Sequence, residues 1–222
     1  MSGNGQSDPF AEQRLRMCEE QLVSRGIRDP QVLAAMQKVP RHEFLPPKYR
    51  DQAYGDHPIP IGEGQTISQP YIVAVMLQML ALRPVHTVLE VGTGSGYQTA
   101  LLAEIASRVF TIERHASLAG VARSTLTQLG YANVTLQIGD GSQGLEAFAP
   151  FDAIIVSAAS PHVPPALLSQ LREDGRMVVP VGNSQAQELQ LVRKQNGSPV
   201  VTATEGCRFV PLVGSQGFPS GW

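Results

Sequence analysis

Gly92, Gly94 and Gly96 alternate with Thr93 and Ser95 in VLEVGTGSGYQTALL, residues 88–102. A β-branched run precedes them and a helical pattern follows, so the spacing predicts a strand-to-helix turn. Glycine there permits positive φ and lets a ligand approach the backbone closely. Dinucleotide sites want G-x-G-x-x-G, but here the third glycine comes one residue early and Tyr97 follows it. Two acids fall where a bound nucleoside would need them. Glu113 closes VFTIE, about twenty residues past the glycines, where a carboxylate can accept from both ribose hydroxyls. Asp140 closes the next strand-like run, in QIGDG, where a carboxylate can accept from an adenine amino group. The carboxyl ends of consecutive strands are where open α/β sheets bind ligands. A further polar stretch, GQTISQP at 64–70, sets Thr66 and Ser68 just ahead of a long apolar run. Capping explains Ser68 poorly, because Pro70 suits the first helical position and makes Gln69 the cap.

A group to activate an acceptor is hard to find. Cys18 and Cys207 lie outside any motif, and His162 in SAASPHVPP reads most simply as a loop histidine. Residues 157–161 are small and uncharged, and no Asn/Asp-Pro-Pro-Tyr segment follows FDAIIV. A pocket without a base suits an acceptor that is already a nucleophile at neutral pH.

These groups need a scaffold, and the chain supplies alternating elements. FAEQRLRMCEEQLVSR predicts a helix with Leu15, Cys18, Leu22 and Val23 inward and Gly26 as its stop. DPQVLAAMQKV predicts a second, with Asp29 as N-cap and Pro30 at its first position. The segment from Pro40 to Gly64 is dense in Pro, Gly and aromatics and reads as an irregular surface crossing. A buried helix then runs from Tyr71 and ends before Pro84. Short apolar strands (HTVLEVG, VFTIE, VTLQIGD, FDAIIVSAA, GRMVVPVG) alternate with helices (YQTALLAEIASR, SLAGVARSTLTQLG, PPALLSQLRED). That alternation specifies an α/β fold, a Rossmann-like, mostly parallel sheet with helices on both faces. Asn196-Gly197 between two strand-like runs predicts a C-terminal antiparallel hairpin. The expected organisation is a disordered tail at 1–9, N-terminal helices and an irregular segment at 10–65, and a catalytic domain at 66–222.

Composition excludes several classes. The 222 residues carry 17 Lys plus Arg against 19 Asp plus Glu, a net charge of −2. That lacks the basic excess of a nucleic-acid or anionic-membrane binder. No apolar run is long enough to span a membrane. The N-terminus lacks the features of a secretory signal, and two distant cysteines predict a reducing cytoplasm. The five histidines show no metal-ligand spacing, so no metal is expected.

The glycine spacing with Glu90 in its strand resembles the nucleoside loop of S-adenosylmethionine-dependent methyltransferases. From Phe10 to Gly214 the chain resembles the protein-L-isoaspartate O-methyltransferases, also called protein-β-aspartate methyltransferases. The resemblance rests on VPRHEFLP (39–46), AYGDHPIPIGEGQTISQPYIVAVM (53–76), VLEVGTGSGYQTALLA (88–103), GDG (139–141), PFDAIIVSAA (150–159), GRMVVPVG (175–182) and RFVPLVG (208–214). The glycine loop is shared by many methyltransferases, whereas GQTISQP with PFDAIIVSAA and RFVPLV is specific. Ser142 departs from the pattern, standing where related chains often carry a larger residue.

The resemblance implies methyl transfer from S-adenosyl-L-methionine to the free α-carboxylate of L-isoaspartyl residues in damaged proteins and peptides. Repair through a succinimide would follow. It further implies cofactor contacts at Gln65, Thr66, Ile67, Ser68, Glu90, Gly92, Thr93, Gly94, Ser95, Gly96, Glu113, Asp140 and Gly141, with Ser68 as the catalytic residue orienting the carboxylate. Isoaspartyl proteins and peptides are the expected partners of a monomer. The alternative reading is an S-adenosylmethionine-dependent methyltransferase acting on a small molecule. A non-catalytic S-adenosylmethionine sensor would bind the cofactor and turn over no acceptor.

Overall fold

The computed structural model describes residues 9–219 and 221, and the tail expected over 1–9 falls almost wholly outside the described residues. Helix α1 (Ala11–Arg16) widens into a π-helical turn at Met17–Leu22 and tightens to a 3-10 turn at Val23–Arg25. Gly26, at φ 95°, ends it. The expected inward stripe holds at Cys18 and Leu22 and is corrected at Leu15 and Val23. Leu15 and Val23 are exposed, while Met17, Cys18 and Leu22 are buried, and Val23 lies past the i→i+5 turn, which rotates the face a regular helix would present there. Helix α2 (Pro30–Lys38) begins as expected, with the Asp29 carboxylate accepting from the Gln31 and Val32 amides at 2.9 and 3.3 Å.

The Pro- and Gly-rich segment is more ordered than its composition suggests. It holds 3-10 turns at Arg41–Phe44 and Pro47–Gln52, then a hairpin of β1 (Ile59–Gly62) and β2 (Gln65–Ile67). Glu63 (φ 52°) and Gly64 (φ 69°) are both left-handed, the signature of a two-residue hairpin turn. Glutamate is an uncommon residue at such a turn, which hid it. Strand β2 leads through Ser68 into helix α3 (Pro70–Leu80). The expected division between residues 65 and 66 therefore falls inside a strand.

The main sheet then assembles as β3 (Thr87–Val91), helix α4 (Tyr97–Ile105), β4 (Arg108–Glu113), helix α5 (Ala116–Gln128), β5 (Val134–Ile138), β6 (Phe151–Val156), helix α6 (Pro165–Gln170), β7 (Leu171–Gly182), β8 (Gln187–Gln195) and β9 (Ser198–Cys207). Its order is β5-β4-β3-β6-β7-β8-β9. The first five of these run parallel, and β8 and β9 are antiparallel. Asn196 (φ 52°) and Gly197 (φ 75°) make the expected hairpin turn. The expected helix through Asp174 is corrected: α6 stops at Gln170, and Leu171 already pairs with Phe151. Lys194 Nζ donates to the carbonyls of Leu168, Ser169 and Leu171, satisfying that helix end with a cation.

Alternation along the strands separates two cores. Val88, Ala153 and Ile155 face a cluster that includes Met17, Leu22, Met36 and Leu77, so the N-terminal helices and α3 cover one side of the sheet. Leu89, Val91, Ile154 and Val156 face the other, with Leu167 and Leu212. From β3 the chain goes outward to β4 and β5, then returns to place β6 on the opposite side. That reversal opens a crevice at the carboxyl ends of β3 and β6.

Candidate active site

The loop after β3 sits at this crevice, and Gly92, Gly94 and Gly96 take φ of 91°, 53° and 90°. A side chain at Gly96 would press on Ala122 at 3.2 Å, so this glycine lets α4 start against α5. Around the loop opens a cleft of about 950 Å³, its solvent mouth included. That is room for a nucleoside with an attached amino-acid chain. Of the expected residues, Gln65, Thr66, Ile67, Ser68, Gly92, Thr93, Gly94, Ser95, Glu113 and Gly141 all line it. Glu90, Gly96 and Asp140 are not on its wall.

Glu113 closes β4 and is only 5% exposed. Its Oε2 accepts from the Gly94 amide and its Oε1 from the His115 amide, each at 2.9 Å. The carboxylate is thus fixed between the glycine loop and the start of α5. A carboxylate offers about four lone-pair sites, so two remain for a ligand.

Glu90 lies beneath the loop with no exposure. Thr99 and Thr111 donate to one of its oxygens and Gln98 to the other, and Gln98 also donates to Ser157 in the cleft wall. Thr111 Oγ1 lies 2.6 Å from Thr93 Oγ1, extending the network to the loop. Burial pushes the Glu90 carboxyl up to about 7, with its three donors pulling the other way and the Glu113 charge adding to the rise. The folded state therefore favours the protonated acid, and stability is expected to fall as pH rises from about 4.5 to about 7. Denaturant titrations at pH 5 and 8 check this. Glu90→Gln should flatten the difference by an amount on the order of 2–3 kcal/mol, and an identical pH response in both proteins would remove Glu90 from the account.

Ser68 lies between β2 and α3 and is partly exposed to the cleft. Helix α3 has no side-chain cap, so the serine is not spent on capping. Its carbonyl accepts from Arg41 Nη2 at 2.8 Å. Arg41 is wholly buried, donates Nε to the Ala53 carbonyl at 2.7 Å, and stacks 4.8 Å over the Tyr97 ring. Burial lowers its pKa to about 10, which leaves it charged at neutral pH. The first two positions of α3 offer no free amide to an anion. Pro70 has none, and the Tyr71 amide already donates to Asp56.

Sequence reasoning missed Val73, Gln98, Arg114, His115 and Ala158 in the lining. Arg114 and His115 directly follow Glu113, and that adjacency was the available signal. His162, in contrast, is exposed, with its Nδ1 3.3 Å from the neighbouring Val163 carbonyl, and does not line the cleft. Val91, Tyr97, Ile112, Ser157 and the run Val210, Pro211, Leu212 and Val213 form the remaining wall. Among the described residues, no three His, Cys, Asp or Glu side chains gather as metal ligands would.

A family model described as protein-L-isoaspartate(D-aspartate) O-methyltransferase matches residues 13–217. The protein-L-isoaspartate O-methyltransferase of Koribacter versatilis (strain Ellin345) is 57% identical over 209 residues, spanning 94% of each chain. The protein-L-isoaspartate O-methyltransferase 1 of Syntrophobacter fumaroxidans is 54% identical over 209 residues, 94% of this chain and 98% of that one. A solved protein-L-isoaspartate O-methyltransferase superimposes with a TM-score of 0.81 at 29% identity, covering 92% of this chain and 67% of the other. Another, from Plasmodium falciparum in complex with S-adenosyl-L-homocysteine, gives 0.78 at 26% identity, covering 89% and 96%.

Proposed function

The chain belongs to the protein-L-isoaspartate(D-aspartate) O-methyltransferase family, and we propose that its cleft joins an isoaspartyl α-carboxylate to the methyl group of S-adenosylmethionine. The observation that carries this reading is the convergence of Glu113 and Ser68 on one cleft, one suited to ribose hydroxyls and one to an anion. When bound, S-adenosylmethionine supplies an electrophilic methyl group on a sulfonium. Glu113 and the backbone of Gly92–Ser95 hold its nucleoside. Glu90 keeps that loop in place from below.

Ser68 donates its hydroxyl to the substrate carboxylate and aims it. The carboxylate, with a pKa near 3.5, is ionised at pH 7 and needs no base. His115, although it lines the cleft, therefore has no proton to remove. Attack of an anion on a cation consumes both charges, so alignment and exclusion of water supply the rate. The apolar wall of Ile67, Val73 and Val210–Val213 does the excluding. The following backbone amide nitrogen then displaces methanol from the ester to close a succinimide without the enzyme, and hydrolysis returns part of it to normal aspartate. Within the same reading the protein acts as a monomer in the cytoplasm, and its free Cys18 and Cys207 suit a reducing compartment.

The test is a pair of peptides differing only in isoaspartyl versus aspartyl linkage. Base-labile methyl incorporation into the first alone is expected. Equal labelling of both, or of neither, would sink the proposal.

A further inference from the structure

We infer that Ser142, anchored on Asp140, forms a latch that fixes the C-terminal wall of the cleft, and that it acts as a positioning residue for both molecules bound there. The inference rests on the cleft being the methyl-transfer site. Val210–Val213 line that cleft yet belong to no strand of the main sheet. One end of the segment is pinned by Ala159, whose amide donates to the Val210 carbonyl at 2.8 Å and whose carbonyl accepts from Leu212 at 2.7 Å. Past Val213 the chain folds into a tight turn, closed by the Gly214 amide on Phe218 and the Phe218 amide on Leu212.

That turn is held by the loop after β5. The Ser215 amide donates to Asp140 Oδ2 at 2.8 Å, and the Gln216 amide donates to Ser142 Oγ at 3.0 Å. Ser142 is completely buried, and its hydroxyl passes the bond on to Asp140 Oδ1 at 2.7 Å. The Ser142 amide and the Gln143 side chain fill the remaining positions, at 2.9 and 3.2 Å. Asp140 thus accepts two bonds on each oxygen, which uses the four or so sites a carboxylate has. Burial alone would raise this carboxyl, but the donors win and hold it at about 2. It stays ionised, and its bonds are of the stronger, charge-assisted kind. The fit is close: a Cβ on Gly214 would lie 2.0 Å from Asp140 Oδ1 and 2.5 Å from Ser142 Oγ.

Ser142→Ala breaks the latch while sparing Asp140, and Gly214→Ala breaks it from the opposite side. For each, S-adenosylhomocysteine affinity is read by calorimetry, kcat and KM on an isoaspartyl peptide, amide exchange over 212–218, and thermal stability as a folding check. We expect faster exchange in that segment, with Kd and KM each rising roughly tenfold (about 1.4 kcal/mol) and kcat within about twofold. Unchanged exchange, or faster exchange with unchanged Kd and KM, would overturn the latch. Weakening by Asp140→Asn alone, with both other variants normal, would do so in favour of a direct contact. Exchange and cofactor affinity do not depend on the acceptor, so the latch can fail or stand whether or not isoaspartyl peptides are methylated.

Discussion

Glu113→Ala is expected to weaken S-adenosylhomocysteine binding by about 100-fold or more and to lose turnover at ordinary cofactor concentrations. The carboxylate is held by the Gly94 and His115 amides, one on each oxygen, and the residue lines the cleft with about two acceptor positions unused. Each hydrogen bond to a charged group contributes about 1.5–3 kcal/mol, and a ribose would make two. The substitution also strands two amides that now have a buried partner, which loosens the glycine loop itself. Glu113→Gln should fall between, since its amide nitrogen must face one donor. Calorimetry with S-adenosylhomocysteine checks all three proteins, and affinity within about threefold of the parent for Glu113→Ala would take this residue out of the cofactor site.

Ser68→Ala is expected to lower kcat by roughly 10- to 100-fold, the value of one hydrogen bond to an anion, while cofactor affinity stays within about twofold. The split follows from where the two ends of the residue point. Its carbonyl is anchored by the buried Arg41 guanidinium, so the backbone is fixed whether or not a hydroxyl is present. Its side chain lines the cleft and caps nothing. The variant therefore loses only the group that would aim the acceptor. Steady-state kinetics on an isoaspartyl peptide, with calorimetry on the cofactor product, give the two numbers. Parent-like turnover would leave Ser68 as a bystander in the wall, and a parallel loss of cofactor affinity would assign it to the nucleoside instead.

The elements most legible in the sequence were those whose signals are local. Positive φ at Gly92, Gly94 and Gly96 follows from residue type and spacing. So does the Asp29 cap of α2 and the Asn196-Gly197 turn. The misses have local causes that outweigh the usual signals. Glu63 takes a left-handed turn position with no turn residue to announce it. The π-helical turn at Met17–Leu22 turns Val23, which follows it, out to solvent. Leu171 leaves its helix because sheet pairing opposite Phe151 and the Lys194 ammonium both favour the earlier stop.

Chain order and residue type alone determined the parallel sheet, its carboxyl-edge cleft and the two acids that close β4 and follow β5. They did not determine how many hydrogen bonds each carboxylate already accepts within the fold. Glu113 and Asp140 look alike in sequence, each an acid just past a glycine-rich loop's reach at a strand end. Tertiary structure separates them, because one spends two acceptor positions on neighbouring amides and the other spends four. A decisive donor to Asp140, the Ser215 amide, comes from 75 residues further along the chain. Local preferences set backbone conformation within a turn or two, whereas the unused lone pairs of a carboxylate depend on every segment the fold brings against it.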